Sequence, residues 1–201
     1  GLAPGGTATL PNSDQQVGAW GGHHNRIGGP AAGDRNIIAG GGGGYSGIYL
    51  ARRETHDILV QGNRIGTDVS GLVALGVNSD GVSIVEGAYN NTLLHNVIAA
   101  GSSGVSIQDS DTRGNRVAGN LIGLGADGRT LLGNRNRGVE IRNGSHDNLI
   151  GGPSAADRNL IAGNGGDGVS IEDPDTRNNT VSGNWIGLND DGAPAANGRN
   201  G

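Results

Sequence analysis

Apolar positions in this chain come in short runs at fixed offsets. Gly-Val-x-Ile or a close variant begins at Gly47 (Gly-Ile-Tyr-Leu), Gly81, Gly104, Gly138 and Gly168. An Asn-led apolar triplet follows: Asn91-Thr-Leu, Asn115-Arg-Val, Asn148-Leu-Ile and Asn179-Thr-Val. A further triplet closes each unit: Asn63-Arg-Ile, Asn96-Val-Ile, Asn120-Leu-Ile, Asn159-Leu-Ile and Asn184-Trp-Ile. Strand-length phrases repeated in one order predict a solenoid. The expected fold is all-β, a parallel β-helix with three short strands per coil and about six to seven coils, by this count of phrases.

Strand alternation then assigns faces. Val105 and Ile107 point one way and Ser106 and Gln108 the other, as do Val139/Ile141 and Val169/Ile171 against their neighbours. With the apolar pair inward, Ser83, Ser106, Glu140 and Ser170 form one outer column. Beside it run Val85, Gln108, Arg142 and Glu172, with Arg142 expected between two acceptors at the ~4.8 Å strand spacing. The Asn that opens each triplet falls at a corner, where Asn tolerates left-handed backbone. Stacked in register, these side chains predict amide ladders along the axis. Gly62, Gly119 and Gly183, each before such an Asn, fit a tight bend.

Residues 1–22 read as an extended lead-in or irregular first coil anchored by Val17 and Trp20. Residues 23–201 read as the β-helix, with an open C-terminal end. Long loops follow alternate coils at Gly66–Asp80, Gly123–Arg137 and Gly187–Asn200. A second insertion, Gly28–Arg35, returns as Gly151–Arg158.

Composition agrees with stacking. Forty-two glycines, 33% hydrophobic residues and no Phe, Met or Cys leave only a thin aliphatic core, which neighbouring coils must share. The net charge of −5 and the absence of a basic stripe argue against nucleic acid as a partner. With no Lys, Schiff-base and Lys–Asn isopeptide chemistry are excluded; with no Cys, so are disulfides and thiolate metal sites. No stretch is long or apolar enough to span a membrane.

Gly62-Asn-Arg-Ile-Gly-Thr-Asp-Val-Ser-Gly71, Ala74-Leu-Gly, Asn-Leu-Ile-Gly-Gly-Pro and Gly-Val-Ser-Ile together resemble the right-handed parallel β-helix repeats of secreted bacterial surface proteins. That resemblance covers roughly residues 23–201 and belongs to the wider pectate-lyase-like architecture. It implies an extracellular or cell-surface setting, bacterial or archaeal. It brings no catalytic motif with it, since many such repeats are non-catalytic.

Candidate chemistry is sparse. Gln108-Asp-Ser-Asp-Thr112 and Glu172-Asp-Pro-Asp-Thr176 offer Asp109, Asp111, Glu172, Asp173 and Asp175 as the acids of a polysaccharide lyase or hydrolase. The two segments are equivalent positions two coils apart, so solvated turns are the simpler reading. Asp190 and Asp191 are the candidate calcium ligands, although their loop supplies too few oxygens for a closed site and reads better as an Asx turn. No other cofactor is expected. His24 and His56, one coil apart, offer either a surface metal pair or solvated imidazoles. Asn90, Asn143 and Asn178 open glycosylation sequons. Tyr49 and Trp185 are expected outward, too few rings for a continuous sugar-stacking platform.

Gly198-Arg-Asn-Gly201 matches the lead into a further strand, by analogy with Arg135-Asn-Arg-Gly138. Gly1, Leu2 and Ala3 of a second molecule would supply that strand against Arg199, Asn200 and Gly201, giving a head-to-tail homopolymer. A fragment of a longer chain would end the same way. The expected function is therefore a non-enzymatic extracellular structural protein, a subunit of a surface fibre. The alternatives are a pectate-lyase-like polysaccharide lyase or hydrolase, and an adhesin segment contacting cell-surface glycans.

Overall fold

Three strands and three corners make one coil. In the computed structural model, which describes residues 3–10, 12–41 and 43–198, the first coil comprises β1 (Val17–Trp20), β2 (Arg26–Gly28) and β3 (Ile37–Ile38). The second holds β4 (Ile48–Ala51), β5 (Leu59–Gln61) and β6 (Arg64–Ile65), and the third β7 (Val82–Val85), β8 (Thr92–Leu94) and β9 (Val97–Ile98). The fourth holds β10 (Val105–Gln108), β11 (Arg116–Ala118) and β12 (Leu121–Ile122), and the fifth β13 (Val139–Arg142), β14 (Leu149–Gly151) and β15 (Leu160–Ile161). The sixth is β16 (Val169–Ile171), β17 (Thr180–Ser182) and β18 (Trp185–Ile186).

Each strand pairs in parallel with its equivalents above and below, giving three six-stranded sheets. Sheet A starts at β1, sheet B at β2 and sheet C at β3. The fold is a parallel β-solenoid of six coils, the lower figure of the sequence expectation. β1 falls inside residues 1–22 and pairs with β4, so the lead-in contains the opening strand of coil one. Among the described residues the only helical turns are Ala32–Asp34 and Ala155–Asp157, one in each copy of the repeated insertion.

The register puts like on like. Val105 lies between Val82 and Val139, and Ile107 between Ile84 and Ile141. These residues, with Leu93, Val117 and Ile150 from sheet B and Ile98, Ile122 and Ile161 from sheet C, fill the axis and are fully buried. The glycine of Gly-Val-x-Ile is set by this crowding. A Cβ on Gly104 would sit 2.6 Å from the Gly138 carbonyl oxygen of the next coil and 2.6 Å from Cγ2 of Ile122. No larger residue fits between a stacked backbone and the sheet C isoleucine.

Corners are held by amides. One ladder runs Asn36–Asn63–Asn96–Asn120–Asn159–Asn184, each Nδ2 donating to the next Oδ1 at 2.8–3.1 Å. A second runs Asn91–Asn115–Asn148–Asn179 at 2.9–3.1 Å. Each Oδ1 that accepts a rung also accepts the main-chain N–H of the preceding Asn, as Asn96 Oδ1 does from Asn63 at 2.9 Å. Both ladders follow from the repeated phrases. A third, Asn134–Asn164–Asn197 at 2.8 Å per rung, lies between the loops and sheet A.

The outer face of sheet A departs from the expected column in one respect. Arg142 does lie between two acceptors, but these are Gln108 (Nε to Oε1, 3.0 Å) and Glu140 (3.6 Å). Glu172 instead takes Arg137, at 2.7 Å. Arg137 enters from the corner preceding β13 and reaches both Glu140 and Glu172, leaving Arg142 to lean back toward coil four. Ser83, Ser106 and Glu140 point outward yet are buried, with Ser46 and Asp80 hydrogen-bonded to Ser83, Gln108 to Ser106 and Arg137 to Glu140.

Coil six closes the described stack differently. Ile171, Val181 and Ile186 hold the inward register of Ile141, Ile150 and Ile161, but are 46%, 38% and 44% exposed. Of the residues proposed for an end-to-end interface, Gly1, Leu2, Arg199, Asn200 and Gly201 lie outside the described residues. Ala3 sits in a turn, its N–H donating to the Ala8 carbonyl at 2.9 Å.

Candidate functional site

Four of the five carboxylates in the two repeated acidic segments are engaged at corners or in ion pairs. Asp109 and Asp173 adopt left-handed backbone, with φ of 77° and 72°. Each reaches back one coil: Asp109 Oδ2 accepts the Glu86 N–H at 3.0 Å, and Asp173 Oδ2 the Asn143 N–H at 3.3 Å. Thr112 and Thr176 repeat the move, taking the Gly87 and Gly144 N–H groups at 2.9 and 3.0 Å. Asp111 pairs with Arg53, and the Asp175 carbonyl accepts from Arg177. Glu172 binds Arg137 and the Ser170 hydroxyl. The Arg142–Asn143 turn lies between the two segments, so the acids do not converge on a common point.

The loop acids form Asx turns. Asn189 Oδ1 accepts the Asp191 and Ala193 N–H groups at 3.0 and 2.9 Å. Asp127 likewise accepts from the Thr130 and Arg129 N–H groups and the Thr130 hydroxyl, which hold its carboxyl below the usual carboxylate range. The Asp191 carboxylate is gripped by Arg129, its Oδ1 2.6 Å from Nη2, and that hydrogen bond lowers its pKa. Asp190 lines a recess of about 420 Å³ between sheet C and the loops, with Arg35, Arg64 and His95. The three long loops stack tip to tip, Ala126 N–H on the Gly71 carbonyl and Asp190 N–H on that of Gly128. Asn90, Asn143 and Asn178 are exposed at left-handed corners, with φ of 54°, 57° and 56°.

Over sheet A, near coil one, an open recess of about 530 Å³ gathers Trp20, Tyr45 and Tyr49 with Asp14, Asp80 and Asp109. Trp20 and Tyr49 lie 6.1 Å apart by centroid. The sequence reading placed only Tyr49 outward on this sheet; Trp20 joins it because β1 stacks on β4 with Trp20 over Ala51. Burial pushes the Asp80 carboxyl up, against hydrogen bonds from the Ser103 N–H (3.0 Å) and the Ser83 hydroxyl (3.2 Å). Burial, with Glu86 and Asp109 close by, also raises the Tyr49 hydroxyl. Trp185, as expected, shows a face outward, and the Arg158 guanidinium covers it at 4.5 Å.

The corner leading into sheet B carries two adjacent columns. The first is His56, Tyr89, Arg113, His146 and Arg177, joined by parallel bridges, with His23 stacked above His56. The second is His24, Asp57, Asn90, Gly114, Asp147 and Asn178, all left-handed with φ of 52–63°. The columns begin as a square: His23 and His24 on coil one, His56 and Asp57 on coil two. His23 stacks flat on His56 at 4.8 Å, and His24 meets His56 edge-on at 5.4 Å. His56 Nδ1 is 2.7 Å from Asp57 Oδ2, His24 Nε2 is 3.7 Å from the same oxygen, and the His23 and His24 Nδ1 atoms are 2.8 Å apart. Ligand atoms of His24, His56 and Asp57 all lie within 4.8 Å of one another. Sequence reasoning paired His24 with His56 and missed His23 and Asp57. Aligning His23-His-Asn25 with His56-Asp-Ile58 would have found all four.

The architecture defines a parallel β-solenoid repeat protein. No helix among the described residues is long and apolar enough to cross a membrane. No family model, no curated protein and no solved structure matches the chain.

Proposed function

We propose that this chain is a non-enzymatic structural solenoid, secreted by a bacterium or archaeon, whose subunits stack end to end into a surface fibre. One observation carries the reading: Ile171, Val181 and Ile186 of coil six keep the inward register and stack on Ile141, Ile150 and Ile161 like on like, a pattern that a coil of a second copy can continue. The amide ladders reach the same face at Asn179, Asn184 and Asn197. A stacked coil would bury these aliphatics at roughly 1.5–3 kcal/mol for each side chain fully covered. The resemblance of the repeats to pectate-lyase-like, right-handed β-helices of bacterial surface proteins supports the extracellular setting. Four of the five acids that a lyase or hydrolase would draw on, Asp109, Asp111, Glu172 and Asp173, are instead committed to turns and ion pairs, which favours the structural reading. A second reading, contact with cell-surface glycans as in an adhesin, has its own support in the Trp20–Tyr45–Tyr49 recess.

Electron microscopy and sedimentation of the purified chain test the proposal. Filaments with an axial repeat near 30 Å, about six strand spacings, are expected, and Ile171→Asp with Ile186→Asp should abolish them. Monodisperse monomers at high concentration would refute self-stacking.

A further inference from the structure

We propose that His24, His56 and Asp57, with His23 beside them, form a binding site for a divalent late first-row metal ion, Zn²⁺ in particular, which clips coil one to coil two. The donor set is imidazole and carboxylate without thiolate, a combination that suits Zn²⁺, Ni²⁺, Co²⁺ and Cu²⁺ and disfavours Ca²⁺ and Mg²⁺. The distances agree. Tetrahedral Zn²⁺ with bonds of ~2.0–2.1 Å sets its ligand atoms about 3.3 Å apart. The separations of 2.7 Å (His56 Nδ1 to Asp57 Oδ2) and 3.7 Å (His24 Nε2 to the same oxygen) bracket that edge. Small side-chain rotations, with the backbone fixed, bring all three into a coordination sphere. His23 meets the other ring nitrogen of His24, Nδ1 to Nδ1 at 2.8 Å, and so orients that ring from outside the coordination sphere, leaving the fourth position to water.

The same corner provides its own control. His146 and Asp147 repeat the His-Asp pair, with Nδ1 to Oδ2 at 2.6 Å. Their neighbours in the column are Arg113 and Arg177, whereas those of His56 are His23 and Tyr89. Two guanidiniums repel a cation and donate no lone pair, so the pair at coil five lacks both the ligands and the field for a metal. Among the described residues, only at coils one and two does the stacking bring two imidazole nitrogens and a carboxylate oxygen within 4.8 Å of one another.

The location gives the ion a purpose. Coil one is an end of the described stack, and its axial residues Val17, Ala19 and Ile27 are only partly buried. An ion ligated from both coils stabilises their pairing by mass action, with no affinity for the unfolded chain required. The inference is independent of self-stacking.

The test uses the full chain freed of metal with a chelator, titrated calorimetrically with Zn²⁺ alone and, in parallel, with Co²⁺ followed by its visible ligand-field bands. One saturable equivalent per chain is expected, together with a rise in melting temperature. His24→Ala with His56→Ala should weaken binding by at least the ~10–100-fold that loss of even an outer-sphere partner costs, and should abolish the thermal shift. His146→Ala should bind like wild type. His24 is exposed while His56 and His146 are largely covered by their column neighbours, so circular dichroism of each variant checks its fold; Asp57→Asn, which keeps shape and removes charge, gives a second loss-of-binding variant. Wild-type binding no tighter than that of the double variant, or equal loss in His146→Ala, would overturn the proposal.

Discussion

Removing one interior rung of the longest amide ladder should cost a large part of the fold's stability. Asn120 is fully buried. Its Oδ1 accepts the Asn96 main-chain N–H at 2.8 Å and Asn96 Nδ2 at 3.0 Å, while its Nδ2 donates to Leu93 O, Ala118 O and Asn159 Oδ1, each at 3.0 Å. In Asn120→Ala some of these partners are rescued. The Ala118 carbonyl keeps the His95 N–H, and Asn159 Oδ1 keeps the Asn120 main-chain N–H. The Asn96 main-chain N–H is left in the core without an acceptor, and Asn96 Nδ2 keeps only the Val60 carbonyl, at 2.9 Å. At about 1–3 kcal/mol for the stranded N–H and less for the half-satisfied amide, the loss is roughly 1–4 kcal/mol, against a typical total of ~5–15 kcal/mol. Asn184→Ala is the matched control, since Asn184 makes the same bonds to Asn159 in coil six but is only partly buried, so water can replace it. Urea unfolding followed by circular dichroism measures both, and midpoints are comparable where the slopes agree. A loss below ~0.5 kcal/mol in Asn120→Ala, or equal losses in the two variants, would refute the claim that ladder amides serve chiefly to satisfy buried donors.

Further outcomes follow from the packing. Gly104→Ala should destabilise by about 1–3 kcal/mol through overpacking, since its Cβ would press on both Gly138 O and Ile122 Cγ2; chemical denaturation reads this directly. Ile141→Ala should cost ~2–5 kcal/mol as a core truncation, whereas Ile171→Ala should cost far less in the monomer because Ile171 is half exposed there. Parity between them in unfolding experiments on monomers would contradict the open end. Asp80→Asn should be at least as stable as wild type at pH 7. Burial raises the folded-state pKa of Asp80 above its unfolded value, so its contribution favours the fold at low pH and is lost as pH rises through that interval. The difference between variant and wild type should shrink on acidification, as a pH series of melts would show.

The fold was legible because its constraints fall on single residues. Gly104 and its equivalents are forced by the stacked carbonyl and the sheet C isoleucine, and the corner Asn residues by the donors they satisfy. Such positions cannot drift, so the three phrases stay visible. The third ladder was not read because Asn134, Asn164 and Asn197 follow loops of unequal length, which breaks the spacing that exposed the other two. Arg142 and Glu172 were paired by sheet register alone, while Arg137 arrived from a corner that register does not describe. The histidine square was half seen for a related reason. In coil two Ile58 stands where later coils have the ladder Asn, its N–H still donating to Asn91 Oδ1 at 3.0 Å. Without that marker, the match between His23-His24 and His56-Asp57 is lost.

The ladders also carry an arrow. In all three, Nδ2 of one coil donates to Oδ1 of the next, so every amide carbonyl faces coil one and every rung reads in the same sense. Two copies meeting through the same end would set donor against donor at coil six, or acceptor against acceptor at coil one, and could not continue a single rung. Any assembly that extends these ladders is therefore vectorial, and a twofold dimer through the end faces is disfavoured from the outset. Its two tips would differ chemically and grow at different rates, so a labelled seed would lengthen unevenly. A fibre built this way would carry a direction along its whole length, set by the amides of a single coil.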